Sequence, residues 1–213
     1  CAICTLQADM NMDLCSICYQ ELPWLLNACY QCGMPIVDSD NSIRCQECVF
    51  SPPPFDRLCG IFNYQPPINK LITQFKFQGK LAYGNLLGQL LLTQYFQWYK
   101  VESAPEAIIP VPLHDGRYRS RGFNQVQELL RPFYKRNFNI VEDLCIKCKT
   151  TKPQARMPAR YRKRNLKEVF QLTARVPYEH IAIVDDVVTT SSTIRALSKL
   201  FKTAGVQWID IWC

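Results

Sequence analysis

The stretch Ile181-Ala182-Ile183-Val184-Asp185-Asp186-Val187-Val188-Thr189-Thr190-Ser191-Ser192-Thr193 decides how the rest of this 213-residue chain is read. Four apolar residues of strand type run into two adjacent acids, two valines and five small hydroxyl residues. Beyond them Ile194, Leu197, Leu200 and Phe201 recur at helical spacing, and Gly205 is a suitable stop. A buried strand therefore ends in two carboxylates and passes through a hydroxyl-rich loop into the start of a helix. The first N–H groups of a helix have no intrahelical acceptor, and the helix dipole favours negative charge beside them. Such a loop suits a phosphate, while Asp185 and Asp186 can accept hydrogen bonds from vicinal hydroxyls such as those of ribose. The plainer alternative is a buried strand capped by acids at an ordinary loop.

That order of residues resembles the phosphoribosyl-pyrophosphate (PRPP) motif of the type I phosphoribosyltransferases. The resemblance implies that Asp185 and Asp186 bind ribose hydroxyls at the catalytic centre. It implies equally that Val187, Val188, Thr189, Thr190, Ser191, Ser192 and Thr193 enclose the 5′-phosphate, with Mg²⁺ accompanying PRPP. Ser191 stands where that family usually has glycine, so a backbone angle that glycine tolerates has to be adopted there by serine.

The chain is long enough for a well-buried core of about 150 residues plus a smaller unit. Its 48% apolar content is that of a globular protein. No apolar run reaches membrane length, since Leu86–Leu92 is interrupted by Gly88 and Gln89, so no membrane insertion is expected. No secretory signal is visible, and a chain beginning at Cys1 suggests a natural N-terminus further upstream. The formal charge of +7 hides two opposed halves. Residues 1–50 hold one base, Arg44, against six acids, whereas residues 114–167 hold 15 Lys/Arg against four Asp/Glu.

Twelve cysteines need a purpose. Eight fall in the pairs Cys1/Cys4, Cys15/Cys18, Cys29/Cys32 and Cys45/Cys48, separated by 10, 10 and 12 residues. Each Cys-x-x-Cys knuckle offers two thiolates and tetrahedral zinc takes four, so two structural zinc ions in a reducing compartment are expected. Two such tetrathiolate sites, each at −2, would take the formal +7 to +3. Sequential pairing is preferred because the second knuckle, Cys15–Cys18, leads straight into a short amphipathic helix before Pro23; interleaved pairing fits the same spacings. Residues 1–50 are thus read as a Cys-rich zinc-binding domain, 51–54 (Ser51-Pro52-Pro53-Pro54) as a stiff linker and 55–213 as the main domain.

In that main domain, Leu58–Tyr64, Ala107–Val111, Leu144–Cys148, Glu168–Leu172 and Val206–Trp212 read as strands. Pro66–Phe77, Ala82–Tyr99 and Gly122–Tyr134 read as helices between them. Alternation of strand and helix predicts an α/β fold, a parallel sheet with helices on both faces and its ligand at the carboxyl ends of the strands. The motif likeness makes the expected fold type I phosphoribosyltransferase-like. Two basic segments fit that site. His114, Arg117, Arg119 and Arg121 follow a strand end, where guanidinium forks suit a pyrophosphate. Arg156, Arg160, Arg162, Lys163 and Arg164 lie in a long unperiodic loop, suited to a flexible lid or to a nucleic-acid backbone. Cys145 and Cys148, a fifth Cys-x-x-Cys, are read as ordinary thiols on opposite faces of a strand, and Cys59 and Cys213 as core residues.

The knuckles, Val111-Pro112-Leu113-His114, Gly122-Phe123-Asn124-Gln125, the Lys152-Pro153-Gln154-Ala155 segment and the acid-pair motif together resemble the ComF competence family. What this implies is a cytoplasmic protein of natural transformation that handles incoming single-stranded DNA beside a helicase partner and retains a pocket for PRPP or a related phosphosugar. The alternative is an active phosphoribosyltransferase that transfers phosphoribosyl from PRPP to an unidentified base or amine. Against it, no stretch after Cys213 is left to form the hood with which such enzymes choose a base.

Overall fold

The computed structural model describes residues 1–36, 43–113, 122–148, 169–188 and 191–213. Its centre is strand β5 (His180–Val184), in which Ile181, Ala182, Ile183 and Val184 are all fully buried. An unbroken apolar run of this kind is what a parallel strand covered on both faces requires. β5 lies between β2 (Ala107–Pro110) and β6 (Trp208–Trp212), and β1 (Arg57–Cys59) completes a four-stranded sheet in the order β1-β6-β5-β2. Every pairing in it is parallel.

Helices α3 (Ile68–Gln78) and α4 (Leu81–Trp98) carry the chain from β1 across to β2, followed by α5 (Gln125–Tyr134). Helix α6 (Ser192–Thr203) carries it from β5 back towards β1, to β6. The two crossovers run in opposite directions, so right-handed connections put them on opposite faces of the sheet. On one face Ile194, Leu197 and Phe201 of α6 pack on Ile181, Ile183, Ile209 and Ile211. On the other, Leu91, Leu92, Val126, Leu130 and Phe133 of α4 and α5 pack on Ala182, Val184 and Trp212. Two glycines make the helix packing on that face possible. A Cβ on Gly88 would lie 2.3 Å from the Leu129 carbonyl oxygen of α5, and one on Gly84 would lie 2.4 Å from the Phe75 ring of α3. The aromatic run of α4 serves the same packing: Tyr95 meets Tyr99, Phe133, Phe138 and Trp212.

The α/β arrangement and the parallel sheet are as the sequence predicts, but two strands sit elsewhere. β3 (Cys145–Lys147) and β4 (Phe170–Leu172) pair antiparallel with each other outside the main sheet. Their burial alternates, with only the inward residues packed on the α6 face, so they cannot have been the two-sided strands of a parallel sheet. The strand read over Leu58–Tyr64 is also shorter, ending at Cys59. Beyond it the backbone is shared: the Ile61 N–H donates to the Cys213 carbonyl while the Ile61 carbonyl accepts from Leu25. Phe62 then forms an antiparallel bridge with Trp24 of the cysteine-rich segment.

That segment is built on α1 (Ser16–Gln20) and α2 (Gln46–Phe50), each beginning directly after the first cysteine of a knuckle. Asp9 caps α1, accepting from the Ser16 N–H at 2.6 Å and the Ser16 hydroxyl at 2.8 Å. Leu14, Cys15, Cys18 and Leu22 share one apolar cluster with Ile68, Leu71, Ile72 and Phe75 of α3 and with Leu86, Leu87 and Leu90 of α4. The first knuckles therefore rest on the main core.

Candidate functional site

The carboxyl end of β5 carries the acid pair. The Asp185 N–H still belongs to the sheet, donating to the Trp212 carbonyl at 3.0 Å. The Asp185 side chain turns back so that Oδ1 accepts from the Asp186 N–H at 2.9 Å. Burial, and then the neighbouring Asp186 charge, push the Asp185 carboxyl up to about 7. Neither acid is sealed in the interior: Asp185 and Asp186 are each partly exposed and both line an open recess.

Two cavities meet at Asp185. The first, of about 40 Å³, is lined by Asp185, Val187, Val188, Ser191, Ser192, Thr193 and Ile194. It lies at the N-terminus of α6, whose first turn contains no acid and whose earliest N–H groups lack intrahelical acceptors. The second, of about 50 Å³, is almost wholly apolar beyond the acids, with walls from Ile68, Ile72 and Phe75 of α3 and Leu87 and Leu91 of α4. Ile61, Phe62, Leu129 and Cys213 complete it. Cys213, expected as a plain core residue, in fact borders this recess beside Asp185. A small polar hollow suited to an anion and an apolar one thus share Asp185 as a common wall, with Asp186 on the apolar side.

Ser191 caps α6 with φ 55° and ψ 4°, in the left-handed region that the sequence comparison with glycine anticipated. A non-glycine residue there costs roughly 1–2 kcal/mol, and such strain collects at ligand-binding turns. Of the residues expected at the site, the structure gathers Asp185, Asp186, Val187, Val188, Ser191, Ser192 and Thr193. Thr189, Thr190, His114, Arg117, Arg119, Arg121, Arg156, Arg160, Arg162, Lys163 and Arg164 lie outside the described residues.

Sequence reasoning missed Lys76. Its Nζ sits 2.9 Å from Asp186 Oδ1, with side chains only 18% and 15% exposed. A signal was present: Lys76 stands four residues after the buried Ile72 and directly after Phe75, so a charge occupies the margin of an apolar helical stripe. A second charge in an apolar run, Asp210 in Trp208-Ile209-Asp210-Ile211-Trp212, was also passed over. Asp210 is fully buried and receives Arg57 Nε at 3.2 Å, Trp208 Nε1 at 3.0 Å and the Tyr99 hydroxyl, with His180 Nε2 at 3.1 Å. Burial opposes its ionisation, yet hydrogen bonds from His180 and Tyr99, with the Arg57 charge, hold the carboxyl below the usual range. Lying at the register of Arg57 and Ala182, this cluster ties β1 to β6 away from the acid pair.

The cysteines form two tetrads, Cys1/Cys4/Cys15/Cys18 and Cys29/Cys32/Cys45/Cys48, with the four Sγ atoms of each within 4.8 Å of one another. Cys4 and Cys15 are 3.7 Å apart at sulfur, as are Cys32 and Cys45. Zinc–thiolate bonds of about 2.3 Å in a tetrahedron put sulfurs about 3.8 Å apart, so both tetrads fit a zinc ion. The grouping is the sequential one. Within the second tetrad the Cys45 N–H also donates to Cys29 Sγ at 3.3 Å. Cys145 is buried and Cys148 exposed, and neither joins a tetrad. Among the described residues no helix is long and apolar enough to cross a membrane.

No protein-family model matches the chain. Full-length relatives do. The DNA utilization protein YhgH of Escherichia coli (strain K12) is 33% identical over 217 residues, covering 100% of this chain and 95% of that one. Competence protein F of Haemophilus influenzae is 34% identical over 206 residues, covering 93% and 88%. Competence protein ComFC of Streptococcus pneumoniae is 22% identical over 148 residues, 70% and 63%. Among solved structures there is a distant likeness to the glutamine PRPP amidotransferase of B. subtilis complexed with ADP and GMP. It has TM-score 0.41 and 11% identity, over 66% of this chain and 30% of that one. With a third of its residues shared with YhgH and competence protein F along nearly their whole lengths, the chain belongs to the ComF family of competence and DNA utilization proteins.

Proposed function

We propose that this protein handles single-stranded DNA during DNA uptake and utilization, and that the acid-pair site holds PRPP or a related phosphosugar with Mg²⁺. The observation that carries the reading is the polar hollow at the N-terminus of α6, which shares Asp185 with the sugar-binding position. In this reading the phosphate takes the first-turn N–H groups of α6 and the Ser191–Thr193 hydroxyls, while Asp185 and Asp186 accept from the ribose hydroxyls. A zinc ion would be held by each cysteine tetrad, and the one on Cys1, Cys4, Cys15 and Cys18 would brace α3 and α4, which form the rim of the site. The names of the relatives support the DNA role, and the 15 Lys/Arg of residues 114–167 supply charge for a nucleic-acid backbone. A helicase partner would meet the acidic cysteine-rich unit, where Leu26 and Phe50 are 83% and 85% exposed. The compartment would be the cytoplasm, whose reducing conditions keep thiolates available for zinc.

Anisotropy titration of a labelled single-stranded oligonucleotide tests the DNA role. Binding should show little sequence preference and fall log-linearly with salt. Replacing Arg160, Arg162 and Arg164 together by Ala should lower the salt slope by about 2, at roughly 0.7 per phosphate contact. A salt-insensitive affinity, or a triple variant indistinguishable from the parent, contradicts the role.

The apolar recess favours a second reading, a phosphoribosyltransferase. A base or amine resting against Ile61, Phe62 and Phe75 would lie beside the anomeric carbon of a sugar held on the acids. The new carbon–nitrogen bond would form as the carbon–oxygen bond to pyrophosphate breaks, the electron pair leaving with pyrophosphate and the nitrogen's proton passing to water. Pyrophosphate release from PRPP with a panel of bases and amines tests this, and no release with any of them counts against it.

A further inference from the structure

We infer that Lys76 is a ligand-contacting residue of the acid-pair site, reading the anionic group on the anomeric carbon of the bound sugar. The inference rests on the phosphosugar reading above and deepens it, because it separates a sugar diphosphate from a sugar that carries only the 5′-phosphate.

Lys76 is placed for this by its helix. α3 turns Ile68, Leu71, Ile72 and Phe75 into the cluster formed with Leu14, Cys15, Cys18 and Leu22, which fixes the helix against the first cysteine tetrad. Lys76 emerges at the edge of that face and, instead of extending into water, directs its ammonium to Asp186 at 2.9 Å with most of its stem covered. The same charge acts on Asp185, whose ionisation it favours. Without a cation the two adjacent carboxylates would repel a diphosphate; the Lys76 ammonium, paired with Asp186 beside the recess that both acids line, offsets part of that negative charge.

A hydroxyl that donates to Asp186 Oδ1 lies about 3 Å from that oxygen, and Nζ lies 2.9 Å from it. The hydroxyl and the ammonium are then within roughly 6 Å of each other. On a ribose the 2-hydroxyl neighbours the anomeric oxygen, so a diphosphate there falls within reach of a lysine, which binds phosphate as a compact charge. A ribose with a free anomeric hydroxyl offers Nζ no such anion.

The test is calorimetric titration of the full-length, zinc-loaded protein with PRPP and, separately, ribose 5-phosphate, both with Mg²⁺. Lys76→Met should weaken PRPP by about 10- to 100-fold, the worth of one charge-assisted contact, and ribose 5-phosphate by no more than about threefold. Lys76→Arg, which keeps the charge, should retain most of the PRPP affinity. Lys76→Gln should give the same ratio as the methionine variant and stands in for it should that one fail to fold. Equal losses for the two ligands would make Lys76 merely a positioning partner of Asp186 and overturn the inference, as would no loss for PRPP. If the unaltered protein bound ribose 5-phosphate but not PRPP, the inference would fall while the phosphate seat stood. If it bound neither, the phosphosugar reading would fall, and the inference with it.

Discussion

Replacing Asp185 by Asn should make the protein less sensitive to pH, by an amount the site geometry sets. The Asp185 carboxyl is largely withdrawn from water at the end of β5 and faces Asp186, which together raise it from the ordinary 3.8 to about 7. Its folded form therefore binds a proton more readily than its unfolded form. Stability gained from that proton is fully present below the unfolded value and is lost as pH rises through 7. At pH 6 about ten in eleven folded molecules carry the proton while the unfolded chain is ionised, which is worth about 1.4 kcal/mol; by pH 8.5 it has gone. The side-chain amide introduced by Asp185→Asn would be neutral throughout and could still accept from the Asp186 N–H now bound at 2.9 Å. Urea unfolding of the two proteins from pH 6 to 8.5 measures the difference directly. The parent should lose about 1.4 kcal/mol more than Asp185→Asn across that range. Parallel pH profiles, or a parent that gains on the variant as pH rises, would refute the placement of Asp185 in a poorly hydrated acid pair.

Three other expectations follow from packing and charge. Chelation of zinc should raise amide exchange at Leu71 and Leu87 as well as around the cysteines, because Cys15 and Cys18 share their apolar cluster; unchanged protection in α3 and α4 would contradict that coupling. Gly88→Ala should cost about 2–3 kcal/mol or more in urea unfolding, since its Cβ would sit 2.3 Å from a backbone oxygen of α5; a neutral result would mean that α4 and α5 are not in contact there. Asp210→Ala should cost about 3–5 kcal/mol by taking from the buried Arg57 its fully buried carboxylate and leaving it the half-exposed Glu102, and a cost below about 1 kcal/mol would deny the cluster its role in joining β1 to β6.

The elements that bury two faces were the most legible. β5 and α6 could be drawn from Ile181–Val184 and from the spacing of Ile194, Leu197 and Phe201, because an apolar run and a helical stripe each admit few alternatives. The cysteine tetrads followed from spacing, and the helix after Cys15 favoured the grouping observed. Short strands were less legible. Cys145–Lys147 and Phe170–Leu172 have strand composition, but nothing local says which sheet they join; that depends on what covers each face. Lys76 and Asp210 were missed for a related reason. A single charge beside apolar residues reads as a surface position until the partner, Asp186 or Arg57, is brought to it from far along the chain.

In the proposed function the turn after Asp186 seats a phosphate while the acids hold a sugar. A crystal of the protein soaked with PRPP and Mg²⁺ tests it most directly. Phosphate density is expected about 3 Å from the backbone N–H groups of Ser192 and Thr193, with the ribose hydroxyls on Asp185 and Asp186. Density for PRPP elsewhere on the molecule, with the acids still paired to the Asp186 N–H and to Lys76 and the hollow at α6 filled only by solvent, would contradict it.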